Sequence, residues 1–126
     1  MKKSYFFLML LSLSLMSCSF SSTKNSFESL DVEEFAADIA NPQVQLVDVR
    51  TPGEHAAGSI PGSMNIDVKS DDFATCATRQ LDKERPVAIY CRSGRRSKTA
   101  ADILVGLGYK VIELDSGYNG WVEAGR

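Results

Sequence analysis

From residue 31 onward, the chain alternates between short apolar runs and stretches whose apolar residues recur every three or four positions. The short runs are rich in β-branched side chains and bounded by turn residues, which predicts strands at residues 44–49, 64–66, 86–90 and 110–114. The longer periodicity predicts helices over residues 31–39, 73–81 and 100–107, with a short closing helix from residue 120. Strands that alternate with helices predict an α/β fold, in which helices cover both faces of a parallel sheet.

Local signals mark several boundaries of these elements. Asp31 followed three residues later by Glu34 is typical of a helix start, and Gly108 can cap the helix that precedes it. The Thr-Pro-Gly sequence at residues 51–53 predicts a turn after the first strong strand. We see no internal repeat.

The first residues have a different pattern. Lys2 and Lys3 precede an almost entirely apolar run at residues 5–16, which is typical of a secretory signal peptide. The run ends in Leu-Met-Ser-Cys, which resembles the bacterial lipobox, so we expect residues 1–17 to be removed and Cys18 to carry lipid. Residues 18–27 would then be a lipidated cysteine and a flexible tether, and residues 28–126 the folded domain. The alternatives are an ordinary signal peptide with a cysteine near its cleavage site and an uncleaved membrane-proximal segment. We expect an exported protein anchored through Cys18 on the periplasmic face of a bacterial membrane.

Composition narrows the possible functions. A chain of 126 residues with 44% hydrophobic and 24% charged residues has room for one domain with a real core. The 14 basic and 16 acidic residues give no reason to expect nucleic-acid binding. Three cysteines without a CxxC pair and a single histidine fit neither a familiar zinc site nor a disulfide scaffold. No motif for a cofactor appears, so we expect no metal and no cofactor.

Cys91 lies between the strand at residues 86–90 and the next helix, where backbone N–H groups and the helix dipole favour an anion. The loop supplies positive charge and a flexible glycine through Arg92, Ser93, Gly94, Arg95, Arg96 and Ser97. This setting predicts a depressed pKa for the Cys91 thiol, a sulfur nucleophile and an anionic substrate. The alternative is a small core cysteine beside solvated surface arginines.

The spacing of this loop separates two chemistries. A cysteine phosphatase loop has an arginine six positions after the nucleophile, where this chain has Ser97, and Arg96 comes one residue earlier. A tighter ring of N–H groups suits a single sulfur atom carried on Cys91, a persulfide, better than a phosphoryl group.

Asp48 and Arg50 follow a strand and should lie near Cys91. A catalytic contribution is conceivable, but we favour a structural role in which Arg50 pairs with Glu54 and Asp48 accepts hydrogen bonds.

Three further residues invite functional roles. His55 could be a general base, but a preformed thiolate needs none, so we predict a packing or surface residue. Cys76 lies on the apolar face of its helix and is predicted to be a buried core thiol, the alternative being a resolving cysteine for Cys91. Trp121 is predicted to belong to the core.

Four sequence signatures occur in a fixed order along the domain. They are Val-Asp-Val-Arg at residues 47–50 with Glu54, Gly-Ser-Ile-Pro-Gly-Ser at 58–63, the loop at 91–97, and Leu-Asp-Ser-Gly at 114–117 with Gly-Trp at 120–121. Together they resemble the single-domain rhodanese family over the whole domain from about Leu30. Ser59 and Ser116 stand where that family often has His and Gly. The resemblance implies a central parallel sheet of about five strands.

The resemblance also implies sulfur transfer. The Cys91 thiolate would attack thiosulfate or a related persulfide donor, release sulfite, and pass the sulfane sulfur to cyanide or a thiol. Arg92, Arg95 or Arg96 would hold the anionic donor, and backbone N–H groups from Arg92 to Ser97 would stabilise the persulfide. A thiol protein is a possible partner. The alternatives are a cysteine phosphatase or arsenate reductase of the same fold, and a non-catalytic rhodanese-like binding module.

Overall fold

The computed structural model describes residues 26–126, in which strands and helices alternate along the chain. The strands are β1 Glu28–Leu30, β2 Gln45–Asp48, β3 Met64–Asn65, β4 Val87–Tyr90 and β5 Val111–Leu114. The helices are α1 Val32–Ile39, α2 Pro52–Ala57, α3 Phe73–Gln80, α4 Arg95–Gly106 and α5 Gly117–Glu123. The expected signal peptide and lipid on Cys18 lie outside the described residues. Within the described range, no helix has the length and apolarity needed to span a bilayer.

The strands form one parallel sheet in the order β1-β5-β4-β2-β3, which confirms the predicted α/β fold. Strand β4 is central, and Tyr90 at its end pairs in register with Asp48 of β2. The carboxyl end of β4 is therefore enclosed by the ends of its two neighbours, and the loop that follows it starts from a rigid position.

Each face of the sheet carries its own apolar core. One core packs α3 and α4 on the sheet and includes Val47, Ile89 and Leu104, all almost fully buried. The other packs α1 and α5 on the opposite face and includes Phe35 and Trp121, as predicted for Trp121. Burying such a side chain contributes about 1.5–3 kcal/mol, so both layers hold the sheet in place.

Four elements differ from the predicted pattern. Strand β1 was not predicted, because it has three residues and only Leu30 is buried, so no periodicity marks it. Residues 52–57 form helix α2 instead of a simple turn. This helix buries none of its residues and so has no apolar stripe, but the Thr51 hydroxyl accepts a hydrogen bond from the Glu54 N–H at its start. Helix α4 begins at Arg95, five residues before the predicted start, and helix α5 begins at Gly117, three residues before its predicted start.

Candidate active site

At one position, the loop that carries Cys91 has a backbone conformation that only glycine tolerates. Gly94 has φ +93° and stands at the start of α4. A Cβ atom there would collide with the backbone oxygen of Asp115, in the segment that follows β5. The loop between β4 and α4 is therefore packed directly against the next strand connection.

The start of α5 holds the other side of this loop. The N–H of Tyr118 donates to the Cys91 carbonyl at 2.8 Å, and the N–H of Asn119 donates to the Arg92 carbonyl at 3.0 Å. Gly117, with φ +65°, permits this approach, because a Cβ would meet the Arg92 carbonyl. These contacts use the carbonyl groups of Cys91 and Arg92 and hold the loop against α5.

The Cys91 sulfur lies at the centre of this arrangement, with the residue only 1% exposed. The N–H of Gly94 donates to the sulfur at 3.1 Å, and the Ser97 hydroxyl oxygen lies 3.5 Å from it. Burial raises the pKa of the Cys91 thiol, but hydrogen bonds to the thiolate outweigh this effect and hold the pKa below its usual value. The N–H groups of Ser97, Gly94 and Ser93 donate such hydrogen bonds, and the Ser97 hydroxyl adds one only in the orientation in which its hydrogen points at the sulfur. The main cause of the lowered pKa is thus hydrogen bonding, including that from the loop N–H groups, which the sequence predicted together with the charge of the three arginines.

The three arginines occupy different environments. Arg92 and Arg95 are exposed, as is Ser93, and neither arginine forms an ion pair within residues 26–126. Arg96 is partly buried and forms a bidentate ion pair with Glu54, with N···O distances of 2.7 and 2.9 Å. The hydrogen bond from Arg96 lowers the pKa of Glu54 to about 2. Glu54 therefore fixes Arg96 and does not pair with Arg50, which corrects the predicted partner.

Arg50 instead pairs with Asp48 inside the protein. Its guanidinium nitrogen lies 2.7 Å from Asp48 Oδ2, with both side chains at most 5% exposed, and it also donates to the Gly58 carbonyl at 2.6 Å. Burial alone would raise the pKa of Asp48, but hydrogen bonds from Arg50 lower it overall. The Arg50 guanidinium stacks 4.5 Å from the ring centre of Tyr118. The Asp48–Arg50 pair thus packs against Tyr118 of α5, whose N–H is bonded to the Cys91 carbonyl.

His55 also contacts Asp48, and the sequence did not predict this contact. Its Nδ1 lies 2.9 Å from Asp48 Oδ2, and its side chain is 27% exposed. The short helix α2 brings it there, and no periodic signal predicted that helix.

The structure also joins Ser97 to a residue that the sequence analysis did not select. The Ser97 hydroxyl donates to Glu113 Oε2 at 2.6 Å, and Glu113 is fully buried on β5. Lys98 lies 2.9 Å from the other carboxylate oxygen, and the Ser29 hydroxyl donates to it as well. Lys98 also donates to the Gly94 carbonyl at 3.0 Å. The only sequence feature that could have indicated this role is that Glu113 is the single acid in the apolar run at residues 111–114.

Cys76 is a free thiol like Cys91, but it is only partly buried beside the core, which corrects the prediction of a buried thiol. It lies at the start of α3, where a hydrogen bond to Asp72 raises the pKa of its thiol.

Within residues 26–126, no cluster of three or more His, Cys, Asp or Glu side chains could hold a metal ion. A small cavity of about 190 Å³ lies beside the Cys91 loop. It is lined in part by Arg50, Glu54, Arg92 and Tyr118. Of the charged groups in this lining, Arg50 and Glu54 already belong to ion pairs, whereas Arg92 has none within residues 26–126.

Comparison with known proteins gives consistent matches. A family model described as a rhodanese-like domain matches residues 31–124. The chain is 32% identical over 98 residues to the thiosulfate sulfurtransferase GlpE of Tolumonas auensis, covering 77% of this chain and 90% of that protein. It is 36% identical over 98 residues to a sulfurtransferase of Allochromatium vinosum, covering 76% and 89%. The crystal structure of a rhodanese-related protein from Thermoplasma volcanium aligns with a TM-score of 0.64 at 27% identity, covering 79% of this chain and 94% of that one.

Proposed function

The chain belongs to the rhodanese-like domain family, and from this premise we propose that it is a sulfurtransferase that carries sulfane sulfur as a persulfide on Cys91. The observation that carries the proposal is the buried Cys91 sulfur, held in a ring of hydrogen-bond donors that lower the pKa of the thiol. Such a thiol is ionised at neutral pH more readily than an ordinary cysteine and needs no separate base.

The first half-reaction loads the sulfur. The Cys91 thiolate attacks the outer sulfur of thiosulfate, a new S–S bond forms, and the S–S bond of thiosulfate breaks as sulfite leaves with the electron pair. The negative charge then lies on the terminal sulfur of the persulfide. The N–H groups of Ser93, Gly94 and Ser97 that donate to the sulfur stabilise this charge without rearranging, since Gly94 and α5 already fix the loop.

The second half-reaction unloads the sulfur. An acceptor such as cyanide or a thiol attacks the terminal sulfur, and the Cys91 thiolate leaves. Thiocyanate or a new persulfide is released, and the starting thiolate is restored. The electron pairs balance over the cycle, so the reaction requires no cofactor.

The anionic donor is held by the arginines that are free to bind it. Arg92 and Arg95 are exposed, whereas Arg96 is already paired with Glu54. Arg92 also lines the small cavity beside the loop together with Arg50. We therefore assign the first contact with the donor to Arg92 and Arg95, and the shaping of the loop to Arg96.

The proposal is tested by incubating the reduced full-length chain with thiosulfate and measuring released sulfite and protein mass. We expect one added sulfur atom, located on the Cys91 peptide, and no addition to the Cys91→Ser variant. The matched control is Cys76→Ser, which removes a thiol outside the loop and should load normally. A folded, reduced protein that gains no sulfur and releases no sulfite contradicts thiosulfate as donor. Hydrolysis of a phosphate or arsenate ester by the same protein would favour the phosphatase alternative.

A further inference from the structure

Glu113 is a buried acid with no part in the reaction outlined above. It is fully buried in β5, although the other residues of that strand are apolar. Its carboxylate accepts from two hydroxyl groups and from the Lys98 ammonium group, and one of the hydroxyls belongs to Ser97. A buried carboxylate is costly unless it is fully paired, so a specific set of partners at this position calls for an explanation.

The Ser97 hydroxyl has two neighbours and one hydrogen. It lies 2.6 Å from Glu113 Oε2 and 3.5 Å from the Cys91 sulfur. A hydroxyl donates one hydrogen bond, and a charge-assisted O–H···O bond of this length is among the stronger ones. The hydrogen is therefore held by Glu113, and the Ser97 oxygen faces the sulfur as an acceptor.

We propose that Glu113 is a positioning residue for Cys91, because it holds the hydroxyl hydrogen of Ser97 and so determines whether Ser97 donates to the sulfur. The inference rests on the proposed function, in which this sulfur is the nucleophile. With the hydrogen on Glu113, only backbone N–H groups donate to the thiolate. The thiolate is then less strongly hydrogen-bonded and remains a better nucleophile.

Several charged groups surround Ser97 and Cys91 and must be held constant in a test. Lys98 of α4 contacts both Glu113 and Asp115, and Arg96 of α4 is paired with Glu54 of α2. Replacing the Glu113 carboxylate by an amide removes the ion pair with Lys98, which keeps Asp115 as its charged partner, and leaves the Arg96–Glu54 pair unchanged.

The Glu113→Gln variant reverses the direction of the Ser97 hydrogen bond. Lys98 has only donors, so the amide oxygen must face Lys98 and the NH2 group must face Ser97. The NH2 group then donates to the Ser97 oxygen, which frees the hydroxyl hydrogen for the Cys91 sulfur. A hydrogen bond to the thiolate lowers the thiol pKa by about one unit. Loss of the nearby negative charge lowers it as well, whether or not Ser97 has a hydroxyl.

A double-mutant cycle separates these two effects. The pKa of Cys91 is measured from the carbon chemical shift of its Cβ atom in cysteine-labelled full-length chain, with the resonance assigned by Cys91→Ser. We expect Glu113→Gln to lower the pKa by about one unit more in the presence of Ser97 than in the Ser97→Ala background. Equal shifts in the two backgrounds overturn the proposal. Glu84→Gln, which removes an exposed charge, is the matched control and should shift nothing.

The single variant Ser97→Ala gives an independent test if the Glu113→Gln chain does not fold. Since the native hydroxyl hydrogen is held by Glu113, removing the hydroxyl should not raise the pKa of Cys91. A rise of about one unit would mean that Ser97 already donates to the thiolate, and would overturn the proposal. Neither titration requires sulfur transfer, so failure of the thiosulfate experiment and failure of this inference are distinguishable.

Discussion

At the end of β4, the neighbouring residues Tyr90 and Cys91 lie on opposite faces of the sheet and have different surroundings. Tyr90 packs into one core and Cys91 into the other. On the Tyr90 side, the Tyr90 hydroxyl accepts from the Ile60 N–H at 2.9 Å, and the Asp48–Arg50 pair neutralises itself. On the Cys91 side, the sulfur accepts from the Gly94 N–H and lies beside the Ser97 hydroxyl, and no charged group of residues 26–126 is hydrogen-bonded to it.

The difference shows how one sheet edge combines rigidity with reactivity. On the Tyr90 side, the charged groups form ion pairs with each other. Substitutions there should therefore lower the free energy of unfolding more than the rate of sulfur loading. On the Cys91 side, the hydrogen-bond donors point at the sulfur atom. Substitutions that move them should therefore lower the rate of sulfur loading. Three substitutions test this division through the free energy of unfolding and the rate of sulfur loading.

The largest effect is expected for Gly94→Ala, on the Cys91 side. The added Cβ collides with the Asp115 carbonyl, and the positive φ disfavours alanine, so the loop must move. We expect the unfolding free energy to fall by about 4 kcal/mol. The loading rate should fall on the order of a hundredfold, because the N–H groups lose their aim at the sulfur. Urea denaturation and sulfite release measure the two quantities.

Gly108→Ala is the control for this change. Gly108 has φ +100°, but no atom lies within 4 Å of the site of an added Cβ. Only backbone strain remains, which costs about 1–2 kcal/mol, and loading should be unaffected. Similar losses of loading in both variants would show that the contact with Asp115 does not maintain the loop.

The second effect is expected for Asp48→Asn, on the Tyr90 side. The substitution leaves the Arg50 guanidinium buried without its charge partner, which costs about 3 kcal/mol of unfolding free energy. Because the folded-state pKa of Asp48 lies below its unfolded value of 3.8, its contribution is complete above that pH and is lost as pH falls through the folded pKa. The difference in stability between wild type and variant should therefore be constant near neutral pH and shrink in acid.

Loading by folded Asp48→Asn should be largely retained, and the exposed Asp102→Asn variant should match wild type in both measurements. A severe loss of loading at full folding would break the comparison, since it would place Asp48 in the chemistry.

The smallest effect is expected for Glu54→Gln, which releases Arg96. The pair is partly exposed, so it contributes less than about 1 kcal/mol. Glu54 has its pKa lowered to about 2, so this contribution is present above its ordinary value of 4.5 and disappears as pH falls towards about 2. Urea denaturation at neutral pH and in acid should show the small difference only at neutral pH. A difference that persists in acid would mean that the carboxylate charge is not its source.

The sequence predicted what depends on local pattern. The central strands and the position of Cys91 between β4 and α4 follow from apolar runs and from glycine and arginine near the cysteine, and the structure agrees. Strand β1 and helix α2 escaped prediction because neither has an apolar periodicity of its own.

Partners across the fold could not be predicted. Arg50 was predicted to pair with Glu54 and shape the loop, but its guanidinium folds back on Asp48. Ser97 and Glu113 are 16 residues apart, and only the parallel register of β4 and β5 places α4 over that acid. Such contacts depend on tertiary packing, which residue spacing alone does not contain.

The contact between α5 and the Cys91 loop has a consequence for biosynthesis. Cys91 is synthesised before Tyr118 and Asn119, whose N–H groups close the loop. Strand β1 likewise has to wait for β5, its neighbour in the sheet. Until the last helix docks, the growing chain lacks the contacts that close this loop, so we expect the thiol to become fully reactive only at the end of folding.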